Sequence, residues 1–78
     1  MTAMEVINKA RSVSFTPFRL YVSDGSQYEI RHRDMIFVTA TRVTVGLHSN
    51  ADATLPDNSI DIDLNHVLKM EYISPANV

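Results

Sequence analysis

Alternation of apolar and polar side chains from Phe18 onward constrains the fold of this chain more than any other feature. Phe18, Leu20 and Val22 alternate with polar or amphipathic side chains, and Tyr28 and Ile30 do so again after a short polar interruption. A period of two places alternate side chains on opposite faces of a strand. The pattern therefore predicts two strands joined as a β-hairpin.

The length of the loop in this hairpin decides which residues face each other. A two-residue loop would place Leu20 opposite Glu29 and would mix the two faces. A three-residue loop of Ser23, Asp24 and Gly25 instead pairs Leu20 with Tyr28 and keeps the apolar side chains together, as strand pairing requires. It also puts the glycine where a type I turn followed by a bulge needs a left-handed residue. We therefore predict the three-residue loop.

A second hairpin follows a polar corner. Pairing Val38 with Val43 and Ile36 with Val45 gives one continuous apolar face. This register turns Phe37 to the opposite face. The connecting segment has no glycine, so we expect a four-residue loop rather than a primed two-residue turn.

The second half of the chain contains a polar loop and further strands. Residues 49–59 are rich in Asn, Asp and Pro, which predicts a long loop and the most mobile internal segment. Alternating residues 60–64 and 68–72 predict strands separated by a short break of phase. Pro75 is expected to end the last strand.

The N-terminal segment carries a helix signal. Thr2 and Glu5 have the spacing of a capping box, in which each side chain accepts from the other residue's backbone N–H. Apolar residues then recur at helical spacing, which predicts a helix over about residues 3–12. The helix must end before Pro17, because a residue that precedes proline is disfavoured in the α region.

The length of 78 residues supports one domain, residues 1–78. We predict a mostly β, α+β fold in which the short helix precedes a five-stranded antiparallel small barrel over about residues 17–73. SH3-like and Sm-like folds have this layout. The chain has no cysteine, so disulfides and thiolate zinc sites cannot supplement a core this small, and association with another chain is the remaining source of stability.

The charge balance and the hydropathy pattern limit the classes of partner. The formal net charge is −2, whereas nucleic-acid binders usually have a basic excess. No apolar run approaches the ~18 residues of a spanning helix, and the first ten residues do not resemble a signal peptide. The sequence therefore predicts a cytoplasmic protein without a membrane partner.

Residues 15–38, FTPFRLYVSDGSQYEIRHRDMIFV, resemble a family of small uncharacterised bacterial proteins. Its members share an F-x-PF start, two alternating strands around DG, an R-H or P-H corner and a hydrophobic strand that ends in V. They also end with I-D-L and a short apolar strand, matched here by residues 62–64 and 68–73. The chain departs from them at Ala40-Thr41, where many relatives have a glycine-containing turn. The resemblance supports a small β-barrel and implies no activity, cofactor or catalytic residue.

Two kinds of chemistry are disfavoured by the residues present. Asp61, Asp63 and His66 could hold a divalent ion, but alternating aspartates usually line a solvated strand face, so no metal site is expected. No serine is framed by glycines, there is no cysteine nucleophile, and two glycines in the whole chain provide no phosphate-cradling loop. We therefore expect no enzyme activity.

The corner Arg31-His32-Arg33 is a candidate for binding phosphates, an acidic partner or nucleic acid. The alternative interpretation is structural: the cross-strand pair of Arg19 with Glu29 and neutralisation of Arg33 by Asp34 would occupy the charges. His32 continues the inward phase of the strand and would then be a hydrogen-bonded core residue.

Phe37 and Tyr21 are the candidate interface residues, because both point away from the predicted apolar face. Either the N-terminal helix covers them or they contact another chain, since aromatic residues are enriched at interfaces. The preferred hypothesis is a self-associating protein-interaction or assembly module that uses strand edges and these aromatics. The alternative is a nucleic-acid-binding small barrel that uses Arg31, His32 and Arg33.

Overall fold

The structure is a computed structural model that describes residues 1–48 and 56–73. In chain order its elements are α1 (Ala3–Ala10), β1 (Phe18–Val22), β2 (Gln27–Ile30), a 3₁₀ turn (Arg33–Met35), β3 (Ile36–Val38), β4 (Arg42–Leu47), β5 (Asn58–Asp63), a second 3₁₀ turn (Leu64–His66) and β6 (Val67–Tyr72). Residues 49–55 of the predicted mobile loop lie outside the described residues, and Pro75 does too.

The first hairpin has the predicted register. Leu20 pairs with Tyr28, Arg19 pairs with Glu29, and Gly25 has a φ of 92°. The turn is closed by a hydrogen bond of 2.9 Å from the Gly25 N–H to the Val22 carbonyl. The left-handed conformation of Gly25 explains why glycine stands at this position, since a β-carbon is disfavoured there.

The second hairpin is also confirmed. Val38 pairs with Val43, Phe37 with Thr44 and Ile36 with Val45. The connecting turn is shorter than four free residues, because β4 already begins at Arg42. Thr39 closes it by donating its N–H to the Arg42 carbonyl at 2.9 Å and accepting the Arg42 N–H on its hydroxyl at 3.1 Å.

The strands form two three-stranded antiparallel sheets rather than the predicted five-stranded barrel. The first sheet has the order β2-β1-β6 and the second has the order β3-β4-β5. Within the described residues there are six strands, and they do not close into a barrel. The two predicted hairpins and the two later predicted segments together correspond to these six strands, so the count of five was one too few. β2 and β3 enter different sheets, and so do β5 and β6.

The turn between β5 and β6 has a local cause. Asp63 accepts the backbone N–H of Asn65 at 2.8 Å, which holds the chain in a bend. The Leu64 N–H then donates to the Thr41 carbonyl, and the Ser23 N–H donates to the His66 carbonyl, at 3.0 and 2.8 Å. The bend is therefore hydrogen-bonded to the loops of both hairpins.

The core lies between the two sheets and is completed by α1. The capping box at Thr2 and Glu5 is present, and the helix ends at Ala10, two residues earlier than expected. Val6 and Ala10 are its buried residues. The largest side chains that are less than 2% exposed come from the helix and from both sheets: Phe18, Leu20, Ile30, Val6, Val43 and Val45.

Candidate interaction surface

The outer face of the second sheet carries one exposed aromatic side chain among polar ones. Phe37 is 62% exposed and is paired with Thr44, which is paired in turn with Asp61. The Thr44 hydroxyl donates to Asp61 Oδ1 at 2.7 Å. Arg42 and Asp63 are paired on the same side of the sheet. We call these five residues the Phe37 face.

Helix α1 packs against the other side of β3 and leaves Phe37 uncovered. A pocket between helix and strand is lined by Ile7 and Ala10 and, from β3, by Ile36 and Val38. Side chains alternate along a strand, so these two β3 residues point away from the Phe37 face. Among the described residues, α1 therefore does not cover Phe37.

The geometry of the turn between β3 and β4 indicates which backbone groups lie on the free edge of β3. Thr39 donates its backbone N–H to Arg42, and hydrogen-bonded pairs alternate along an antiparallel ladder. The backbone of Phe37 therefore bonds to Thr44, while the N–H and C=O groups of Ile36 and Val38 point away from β4. Within the described residues, β4 is the only strand that pairs with β3.

Tyr21, the other candidate interface residue, lies on the outer face of the first sheet and is half-buried. Its hydroxyl donates to Glu71 Oε1 at 2.9 Å, and the Lys69 ammonium lies 4.5 Å from the ring centroid. The ring is covered by polar neighbours and offers little free apolar surface. The structure places Tyr21 and Phe37 on different sheets and does not join them in one surface.

Arg31 and Arg19 are both bound by one carboxylate. Glu29 Oε2 accepts from Arg19 at 2.6 Å and Glu29 Oε1 accepts from Arg31 at 2.7 Å. The Arg19 guanidinium, followed by that of Arg31, lowers the pKa of Glu29 below its ordinary value. The same bond to Glu29 is the main cause that raises the pKa of Arg19. The cross-strand pair of Arg19 with Glu29 is confirmed.

Arg33 points elsewhere. One of its guanidinium N–H groups donates to the Val13 carbonyl at 3.4 Å, and the guanidinium carbon lies 5.8 Å from the centroid of the Phe15 ring. Among the described residues no ion pair joins Arg33 to Asp34, so the expected neutralisation is not what holds this side chain.

His32 is exposed, whereas the strand phase placed it in the core. The phase ends at Ile30, because the chain turns into the 3₁₀ segment that begins at Arg33. His32 lines an open cleft of about 360 Å³ between β2 and β4, together with Arg31, Tyr28 and His48. Arg31 and His32 share this cleft, whereas Arg33 lines the pocket between α1 and β3, so the three residues of the predicted corner do not form a single basic patch.

Asp61, Asp63 and His66 each have a separate partner. Asp61 is bonded to Thr44, Asp63 to the Asn65 backbone, and His66 Nδ1 lies 3.0 Å from Ser23 Oγ. No group of three or more potential metal ligands is assembled among residues 1–48 and 56–73.

The contact of Ser23 with His66, residues that are 43 positions apart, was not foreseen from the sequence. In catalytic serine–imidazole pairs a third group typically orients the imidazole. The nearby carboxylate of Asp24 instead accepts from the Ser26 hydroxyl and the Ser26 N–H, which lower the pKa of Asp24.

Sequence reasoning also missed that Arg11 and Arg33 both line the pocket between α1 and β3. Helical periodicity puts Arg11 on the same helical face as Ile7, but it does not reveal which strand that face meets.

Comparison with protein-family models, with curated proteins and with solved structures finds no match to this chain. The resemblance to small bacterial proteins therefore stays a prediction. In the described part of the chain, no helix has the length and apolar character that crossing a bilayer requires.

Proposed function

We propose that this chain is a protein-interaction module that self-associates along the free edge of β3. The observation that carries the proposal is Phe37, a large aromatic side chain that is 62% exposed within a polar surface. Buried aromatic anchors surrounded by polar groups carry most of the binding energy in many interfaces. Tyr21 does not belong to this interface, because its polar atoms are satisfied within the chain.

The edge of β3 supplies the second part of the argument. The outward N–H and C=O groups of Ile36 and Val38 can accept a neighbouring strand. When two copies of β3 pair antiparallel and centre on Phe37, Ile36 of each chain meets Val38 of the other. The two Phe37 side chains then form a non-hydrogen-bonded cross-strand pair, in which side chains are closest.

The occupant of this edge is a second copy of the chain. A two-fold axis makes such a contact self-complementary, so one short strand provides both halves of the interface. A chain of 78 residues without cysteine has a small stability margin, and association adds to it by mass action.

Nucleic-acid binding has less support as a function. It required Arg31, His32 and Arg33 to act together, but Glu29 binds Arg31. Arg31 and His32 line the cleft between β2 and β4, whereas Arg33 lines the pocket between α1 and β3. The net charge of −2 also opposes nonspecific attraction to phosphates. We propose no enzyme activity.

We further propose that the two sheets are the halves of an open barrel of the SH3-like or Sm-like kind. Its support is the antiparallel pairing of the first and last strands and the 3₁₀ turn before β6. A cytoplasmic location likewise remains a prediction.

The test is the mass of the chain in solution, measured by sedimentation velocity over a micromolar concentration series. The wild-type chain should form a dimer, and Phe37→Asp should be monomeric at the same concentrations because a charge would be buried in the interface. Val13→Asp is the matched control: it adds the same charge at an apolar residue that is 97% exposed, and its mass should remain that of the wild type.

Two results would contradict the proposal. One is a wild-type chain that stays monomeric throughout the series. The other is an assembly whose mass is unchanged by Phe37→Asp, which would place the interface on another surface. Electrophoresis with a single-stranded RNA at low and moderate salt tests the alternative function, and we expect no retained complex at moderate salt.

A further inference from the structure

A small pocket lies between α1 and β3, on the opposite side of β3 from the Phe37 face. Its volume is about 220 Å³. The aliphatic part of its lining consists of Ile7, Ala10, Ile36 and Val38, and the polar part consists of two guanidinium groups, those of Arg11 and Arg33. The pocket thus combines an apolar floor with two positive charges.

Arg33 makes two contacts beside this pocket. One guanidinium N–H donates to the Val13 carbonyl at 3.4 Å, and the guanidinium carbon lies 5.8 Å from the centroid of the Phe15 ring. Arginine has five N–H donors, so this single long hydrogen bond leaves most of them available.

Arg11 is the other cation, and it caps the C-terminus of α1 through a backbone hydrogen bond of 2.8 Å to Ile7. Its side chain makes no ion pair within residues 1–48 and 56–73, and the same holds for Arg33. Arg19 and Arg31 show the contrast, since Glu29 binds both of them. Two cations therefore meet at one pocket without a carboxylate partner among the described residues.

The C-terminus of α1 disfavours the binding of an anion at this pocket, but only weakly. A helix C-terminus carries roughly half a negative elementary charge, whereas the two guanidinium groups carry two full positive charges. The sum of these charges at the pocket therefore remains positive.

We propose that this pocket binds a small amphipathic anion, a short aliphatic chain that ends in a carboxylate or a phosphate. The guanidinium groups of Arg11 and Arg33 would bind the anionic end, because a planar guanidinium can donate two parallel hydrogen bonds to a carboxylate or to a phosphate. The aliphatic end would replace water against Ile36 and Val38. The volume lies below the ~300 Å³ at which sites for drug-sized ligands begin, which restricts the ligand to a short chain.

The test is an NMR titration of the full chain at constant ionic strength, with amide shifts as the readout. The probes are 3-methylbutanoate and isobutyl phosphate, which distinguish the two anionic ends. Acetate lacks the branched chain and 3-methylbutanol lacks the charge. We expect saturable shifts at residues 7–11 and 33–38 with at least one branched anion, and weaker binding of acetate and of the alcohol.

Substitutions identify the two arginines. Arg11→Gln and Arg33→Gln should each weaken binding about tenfold, the loss expected for one charge-assisted contact. Arg42→Gln removes the same charge from the Phe37 face and should leave the affinity unchanged. Arg11 is exposed, so its variant keeps the test valid even if Arg33→Gln disturbs the fold.

The proposal fails if neither branched anion gives saturable shifts at these residues. It also fails if Arg42→Gln weakens binding as much as Arg11→Gln, because the attraction would then be nonspecific. Repeating the titration with Phe37→Asp separates this site from self-association, since the pocket should bind equally well in a monomer.

Discussion

The hydroxyl of Tyr21 donates a hydrogen bond of 2.9 Å to Oε1 of Glu71, fifty positions further along the chain. This bond joins β1 to β6 on the outer face of the first sheet. It also distinguishes the two outward aromatic residues: Tyr21 has a polar atom that the sheet satisfies, while Phe37 has none. Burial against a second chain should therefore stabilise the exposed ring of Phe37 more than that of Tyr21, whose hydroxyl is already hydrogen-bonded within the sheet.

Tyr21→Phe should lower the free energy of unfolding by about 0.5–1 kcal/mol, the low end for a hydrogen bond because this one is exposed. Urea denaturation measures the loss. Tyr72→Phe is the control, since no hydrogen bond of the Tyr72 hydroxyl is present among the described residues. The mass of the assembly should be unaffected by Tyr21→Phe, and a shift to monomer would show that Tyr21 belongs to the interface after all.

Gly25→Ala should destabilise the chain by about 1 kcal/mol, because Gly25 has a φ of 92° and a β-carbon is disfavoured in that region. There is open space around the position, so the loss would come from the backbone and not from a clash. Asn tolerates left-handed conformations better than Ala, and Gly25→Asn should therefore lose less. Equal losses for the two variants in denaturant titrations would argue against backbone strain as the cause.

The ion pairs of Glu29 predict a pH dependence. Arg19 and Arg31 lower the pKa of Glu29, so the folded state binds its proton less readily than the unfolded state does. The stabilisation is complete above the ordinary value of 4.5 and is lost as the pH falls through the lowered folded value. Glu29→Gln should therefore be less stable than the wild type at pH 7, and the difference should shrink in acid. A difference for Glu29→Gln that is independent of pH would exclude the ion pairs as its source.

The hairpin registers could be predicted from the sequence because each depends on local facts. A period of two fixes the faces, and Gly25 fixes the loop length, so Leu20 can meet only Tyr28. The capping box at Thr2 is equally local. In each case the neighbours that decide the structure are close in the sequence.

The rest of the structure depends on contacts between distant segments. His32 is exposed because a 3₁₀ turn follows the end of the strand. The alternation of apolar and polar residues in that strand does not predict the turn. The pocket of Arg11 and Arg33 exists because α1 packs on β3, and the position of a helix over a sheet is a tertiary property. The sequence could not predict the exposure of Phe37 for the same reason.

Amide hydrogen exchange at Ile36 and Val38 shows whether two copies of the chain pair along β3. Their N–H groups point away from β4, so an isolated chain should exchange them quickly, while the Phe37 amide is protected by Thr44. Their exchange should slow as protein concentration rises, and Phe37→Asp should abolish that dependence. If exchange at Ile36 and Val38 stays independent of concentration while sedimentation shows a dimer, the two chains do not pair along β3.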